Sequence, residues 1–153
     1  MKKQKHPTPP PVLEKLLEIE GRMRKEYRIE GEGESKWELE KINDSVYVPM
    51  HRSLSSTLPE YTPEDLQALL LAKANNNHPE LEAQVLGIYT GVLLQVLYER
   101  VNRMPQVYDL AGNQFDYLFY FAKKAGDVTV RKGKGHHTCA LIASYGGEAQ
   151  KLL

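Results

Sequence analysis

The stretch from Pro79 to Arg103 constrains this chain more than any other, because it reads as one long helix that is apolar over most of its circumference. One face repeats apolar residues every three or four positions, at Leu81, Val85, Ile88, Val92 and Val96. An adjoining face carries Leu86, Tyr89, Leu93, Leu97 and Val101. A helix that is apolar on several sides needs cover on several sides. The sequence therefore predicts a core helix around which the rest of the chain packs.

Small residues form a ridge along this helix. Ala83, Gly87 and Gly91 recur every fourth position, which places them on one side. Another backbone can approach such a ridge closely, so we expect these three to be helix-packing residues. The spacing of the two glycines also occurs in paired membrane helices, but Thr90 and Gln95 interrupt the apolar run. We therefore expect close packing inside a soluble fold, with no membrane partner.

Composition bounds the classes of function. The 153 residues fit a single domain, expected over residues 12–153 behind a disordered, proline-rich tail at residues 1–11. The chain has 20 basic and 20 acidic residues, so its overall charge makes no case for nucleic acid or membrane. Cys139 is the single cysteine, which excludes an intramolecular disulfide. Because prolines follow the N-terminal lysines where a signal peptide would be apolar, we expect a cytoplasmic protein.

Two more helices are predicted before the core helix. Apolar residues recur at helical spacing over residues 12–29. Thr62 is placed to cap a second helix, with Pro63 at its first position, and that helix should end near Asn75. Because Pro79 follows so soon, this helix and the core helix are expected to form an antiparallel helical hairpin.

The remaining segments indicate strands or leave two alternatives. Trp37–Val48 alternates loosely between apolar and polar residues and suggests a β-hairpin. Residues 114–124 fit a helix with Asn113 as its N-cap and Gly126 as its C-cap, but their many aromatics also fit a strand. Residues 127–145 predict a β-hairpin with a Gly-Lys-Gly turn. The expected fold is α+β: a mainly helical bundle around a long central helix, with a C-terminal β-hairpin.

A basic turn near that hairpin is the first candidate binding site. Its members are Lys123, Lys124, Arg131, Lys132 and Lys134, together with His136 and His137, which add charge below neutral pH. Only Asp127 opposes them, and Gly133 and Gly135 would expose backbone N–H groups of the kind that bind phosphates. Tyr117 and Tyr120 could stack on bases if they were exposed. The alternative is a solvated turn whose charges only aid solubility.

Two His-x-Ser/Thr triplets give a second candidate site. They are His51-Arg52-Ser53 and His136-His137-Thr138, and each follows a possible strand. The pair resembles the paired motif of 2H phosphoesterases. That resemblance implies that His51 and His136 act as acid and base on a phosphodiester, with the hydroxyls of Ser53 and Thr138 orienting the phosphate. The alternative is two unrelated surface histidines.

These patterns lead to three functional hypotheses. The leading one is a non-enzymatic binding or assembly subunit that contacts phosphates of RNA or single-stranded DNA through the basic turn. The second is a phosphodiester-cleaving enzyme of the 2H type. The third is a protein-interaction module, with self-association or a partner protein meeting the aromatics at residues 108–121. We see no nucleotide-binding glycine motif and no complete metal-ligand set, so no cofactor or metal is expected.

Overall fold

The computed structural model describes residues 11–29, 36–75, 78–100, 105–122, 124–135 and 148–151. The helices are α1 (Pro11–Glu26), α2 (Lys36–Ile42), α3 (Val48–Thr57), α4 (Pro63–Lys73) and α5 (Glu80–Arg100), with a π-helical turn (Asn43–Tyr47) between α2 and α3. The strands are β1 (Gln106–Asp109), β2 (Lys124–Arg131) and β3 (Glu148–Lys151). The predicted fold class is confirmed: the protein is α+β and mainly helical, with a long central helix and a small sheet towards its C-terminal end.

Helix α5 is the centre of the core. Every residue from Gln84 to Tyr98 is buried, including the polar Thr90 and Gln95. Helices α1, α3 and α4 contact it, as does strand β2. By length and hydropathy α5 is the single described helix that could cross a membrane, despite its polar interruptions, yet 83% of the relevant window is buried inside the fold. Its apolar surface is thus largely covered by the rest of the chain, although Leu81, which was expected on the buried face, is 42% exposed.

The start of α4 follows its local sequence closely. The Thr62 hydroxyl accepts a hydrogen bond from the Asp65 backbone N–H at 3.2 Å, and the Asp65 carboxylate accepts one from the Thr62 N–H at 2.9 Å. This reciprocal capping box, with Pro63 in the first turn, satisfies donors that a helix start leaves without partners. The predicted helix and its cap are both confirmed.

The β-hairpin expected at Trp37–Val48 is wrong. This segment is helical, running from α2 through the π-helical turn into α3. Buried residues recur every fourth position along it and face the core, at Ile42, Val46, Met50 and Leu54. The residue types of this segment also suit a strand. Its apolar residues nevertheless belong to a helical stripe that continues past Val48.

Both alternatives for residues 114–124 are also wrong. Residues 116–121 form successive turns, and Lys124–Gly126 belong to β2 rather than to a helix end. Tyr117, Phe119 and Phe121 have positive φ angles of 60°, 56° and 67°, which aromatic residues seldom adopt. Asn113, the proposed N-cap, instead donates its N–H to the Leu110 carbonyl at 2.8 Å. Tertiary contacts, rather than local propensity, therefore set this conformation.

The described strands pair in parallel. β2 lies between β1 and β3, with Tyr108 opposite Val130 and Asp109 opposite Arg131. Strand β2 contains the first arm of the hairpin predicted over 127–145, while most of its second arm lies outside the described residues. On the outer edge of β1, the Gln67 side chain donates to the Asp109 carbonyl at 2.5 Å and accepts from its N–H at 2.7 Å.

Candidate nucleic-acid interface

Three cations of the predicted basic turn are exposed in the structure. Arg131 ends β2, and Lys132 and Lys134 follow it. None of the three side chains forms an ion pair with another residue that the structure describes. They are therefore available to an anionic ligand. We call residues 131–135 the basic segment.

The backbone of the basic segment is held against the preceding loop. The carbonyls of Arg131, Lys132 and Lys134 accept hydrogen bonds from the loop's N–H groups, at distances of 2.9, 2.7 and 2.8 Å. The donors are Leu110, Gly112 and Phe115. A segment tied at three points presents its side chains from a fixed backbone, which reduces the conformational entropy lost when a ligand binds.

The two glycines have a structural role that differs from the one expected. A Cβ at Gly133 would lie 2.7 Å from the Leu110 Cδ1, and one at Gly135 would lie 2.5 Å from the Phe115 carbonyl oxygen. Gly135 also has a φ of 148°, which L side chains rarely adopt. Close packing against the loop thus accounts for both glycines without a ligand.

The other predicted members of the turn are only partly described. Lys124 lies at the far end of β2 from Arg131, so the strand separates it from the basic segment. Lys123, His136 and His137 lie outside the described residues. The structure therefore groups Arg131, Lys132 and Lys134 and separates Lys124 from them, while the roles of Lys123, His136 and His137 stay predictions.

The stacking role suggested for Tyr117 and Tyr120 is wrong, because both rings are buried, with 5% and 4% exposure. They pack on each other with ring centroids 5.0 Å apart. The Tyr117 hydroxyl donates to the Glu80 carboxylate at 2.8 Å, and burial followed by this contact raises the pKa of Tyr117. The aromatic surface of the protein-interaction hypothesis is likewise not exposed, since Tyr108, Phe115, Phe119 and Phe121 are buried too.

The His-x-Ser triplet at residues 51–53 lies within helix α3, not after a strand as expected. The His51 Nε2 is 3.2 Å from the Glu99 Oε1, and its ring stacks on Tyr47 at 6.1 Å between centroids. Ser53 is exposed. His136 and Thr138 of the second triplet lie outside the described residues, so the separation of the two histidines stays a prediction.

Sequence reasoning missed a charged cluster at the other end of α5. Glu20 is 2% exposed, and its carboxylate binds two cations, Arg24 and Lys73, with the Lys73 Nζ 3.1 Å from Oε1. Arg24 also reaches the exposed Glu82 at 3.2 Å. Lys73 sits at a helical position of an apolar stripe, which is the signal that could have indicated a buried partner.

Among the described residues, no group of histidine, cysteine or acidic side chains could hold a metal ion.

His78 adjoins this cluster and makes stability depend on pH. Burial, and then the charges of Arg24 and Lys73, lower the pKa of His78. Because the unfolded chain then binds the proton more readily, the free energy of unfolding should fall as pH drops below about 6.5. We expect His78→Gln to flatten that fall and to leave stability at pH 8 almost unchanged. Urea unfolding at a series of pH values measures this, and identical pH profiles for the two proteins would contradict it.

Comparison with known proteins assigns no relative to this chain. No family model, no curated protein and no solved structure matches it. The function must therefore be inferred from the chemistry of the described residues.

Proposed function

We propose that this protein is a non-enzymatic binding or assembly subunit, acting in the cytoplasm, that contacts the phosphates of RNA or single-stranded DNA through the basic segment. The observation that carries the proposal is the exposure of Arg131, Lys132 and Lys134 on a backbone held by the neighbouring loop. Because these cations form no ion pair with another described residue, no such pair has to break when they displace counterions from a polyanion.

The character of the binding follows from the groups involved. Contacts between cationic side chains and phosphates position the nucleic acid but do not distinguish one base from another. Binding should therefore tolerate many nucleotide sequences. Burial of Tyr117 and Tyr120 removes the stacking contribution that would have been insensitive to salt. Affinity should therefore depend steeply on salt and should be weak at physiological ionic strength.

Replacing Arg131, Lys132 and Lys134 together by alanine tests the proposal. We expect affinity for single-stranded RNA to fall, and the slope of log K against log salt to flatten by about 0.7 for each phosphate that the variant no longer neutralises. Folding should be nearly unchanged, because exposed charges contribute little to stability. Fluorescence anisotropy with a labelled oligonucleotide at several salt concentrations measures both the affinity and the slope.

A second triple variant controls for net charge. Arg22, Lys25 and Arg28 are exposed on or just after α1, and replacing them by alanine removes the same formal charge from another surface. The proposal requires this control to retain most of the wild-type affinity and slope. If both triple variants lose affinity equally, binding follows overall charge and the basic segment is not the site. If neither variant loses affinity, the nucleic-acid proposal is wrong.

A further inference from the structure

A small cavity lies beside the charged cluster, and no residue of the basic segment is among those that line it. It has a volume of about 170 Å³ and lies between the end of α4, the start of α5 and the loop at residues 114–116. Lys73 and His78 line one part of it, Asp116 lines another, and Leu86 and Phe115 supply apolar wall. A space of this size can hold a small polar molecule.

Two cations and two carboxylates form the charged cluster beside the cavity. Glu20 is the one buried carboxylate of the cluster, and both Arg24 and Lys73 bind it. Glu82 also pairs with Arg24, but its side chain is 48% exposed, so solvent screens its charge. At the His78 ring the effect of the two cations is larger than that of the two carboxylates. Together these charges therefore lower the pKa of His78.

The Nε2 atom of His78 also lacks a hydrogen-bond partner among the residues that the structure describes. The same atom is buried, and no described residue lies within hydrogen-bonding distance of it. A buried polar nitrogen without a partner is unfavourable, and a ligand bound beside the ring can supply that partner. We propose that this cavity binds a small oxyanion, such as a carboxylate or a sulfate-like group, between the Lys73 ammonium and the His78 imidazole.

Asp116 opposes anion binding at the proposed site. Its carboxylate lines the same cavity and accepts a hydrogen bond from the Gln114 amide at 3.1 Å. A carboxylate beside a bound anion is repulsive, so Asp116 should lower the affinity of the site for anions. Binding should also be linked to proton uptake, because an anion beside His78 stabilises the imidazolium against Arg24 and Lys73.

Proton NMR of the histidine rings tests the proposal in the full chain. The pH titration is recorded in sodium sulfate, in sodium acetate, and in sodium chloride at matched ionic strength. We expect saturating sulfate or acetate to raise the His78 pKa by about one unit relative to chloride, equivalent to about tenfold tighter binding to the protonated ring. His51, at the other end of α5 and about 30 Å away, is the internal control and should not respond.

Three variants make the outcome decisive. His78→Gln assigns the resonance and should remove the pH dependence of binding, while Asp116→Asn should tighten binding by removing the opposing charge. Because Lys73→Gln alone leaves Glu20 with one partner fewer, it is combined with Glu20→Gln, and the double variant should lose binding while staying folded. A stronger response to sulfate than to acetate assigns the site to sulfate-like groups, and the reverse assigns it to carboxylates. Equal His78 pKa values in all three salts, or weaker binding by Asp116→Asn, would overturn the proposal.

Discussion

Gly87→Ala and Gly91→Ala should each lower the free energy of unfolding by about 3 kcal/mol, the upper end of what overpacking a core usually costs. A Cβ at Gly87 would lie 2.5 Å from the Tyr117 Cβ and would overlap the Tyr117 carbonyl oxygen. A Cβ at Gly91 would overlap the Tyr120 carbonyl oxygen. Neither neighbour can swing aside, because each is backbone and the Tyr120 N–H donates to the Gly87 carbonyl at 3.2 Å.

The test is whether these substitutions lower or raise the free energy of unfolding. In a helix that faces open space, glycine to alanine stabilises by about 0.5–1 kcal/mol. Gly21 in α1 provides that matched control, since a Cβ there would meet nothing within 4 Å. Thermal melting should therefore show Gly21→Ala unchanged or higher and Gly87→Ala lower by about 10 °C. A Gly87→Ala protein as stable as the Gly21→Ala protein would show that the loop does not lie on the helix.

Glu20→Gln should give the second large effect, a loss of about 3 kcal/mol in the free energy of unfolding. Glu20 is 2% exposed, while Arg24 and Lys73, which it neutralises, have side chains only 25% and 16% exposed. Removing the carboxylate charge leaves two cations close together in a region that water reaches poorly. Urea unfolding at neutral pH measures the loss.

Glu82→Gln is the matched control for this substitution. Glu82 binds the same Arg24, but its side chain is 48% exposed and the pair is open to solvent. An exposed ion pair contributes about 0.2–1 kcal/mol, so this variant should unfold almost like the wild type. Equal losses for the two variants would mean that burial of Glu20 does not determine the strength of the cluster.

Much of the helical core could be predicted from sequence because its signals are local. Helix α4 has its cap, its proline and its acidic first turn within four residues, 62–65. Helix α5 has enough apolar positions to require burial whatever surrounds it. Signals of this kind depend on the chain's own periodicity and capping chemistry, which tertiary packing then reinforces.

Two segments could not be predicted because their conformations depend on distant residues. The apolar positions of Trp37–Val48 fit a period of two and one of 3.6 equally loosely, and the helical period becomes clear only with the buried Met50 and Leu54 beyond it. The turns at 116–121 are held by α5: the Phe119 N–H donates to the Thr90 hydroxyl at 3.0 Å. Nothing in the local sequence indicates three aromatics at positive φ, since only such long-range contacts compensate for that strain.

The basic segment and the charged cluster also differ in how far the sequence could predict them. The cations at 131–134 are adjacent in sequence, so their grouping could be read directly. Glu20, Lys73 and His78 come from α1, from α4 and from the residues before α5, and their grouping appears only when the helices pack. The position of Lys73 on an apolar stripe could indicate a buried partner, but sequence alone could not identify Glu20 as that partner.

The amide of Gln67 has a consequence for the solubility of the protein. An edge strand exposes backbone donors and acceptors that can recruit a strand from another molecule, which is the first step of sheet-mediated aggregation. Gln67 occupies both groups of Asp109, as the backbone of a neighbouring strand would. Val107, half exposed on the same short strand, would otherwise offer an apolar side chain to such an incoming strand. One helical side chain thus occupies the two backbone groups of Asp109 that an incoming strand would otherwise pair with.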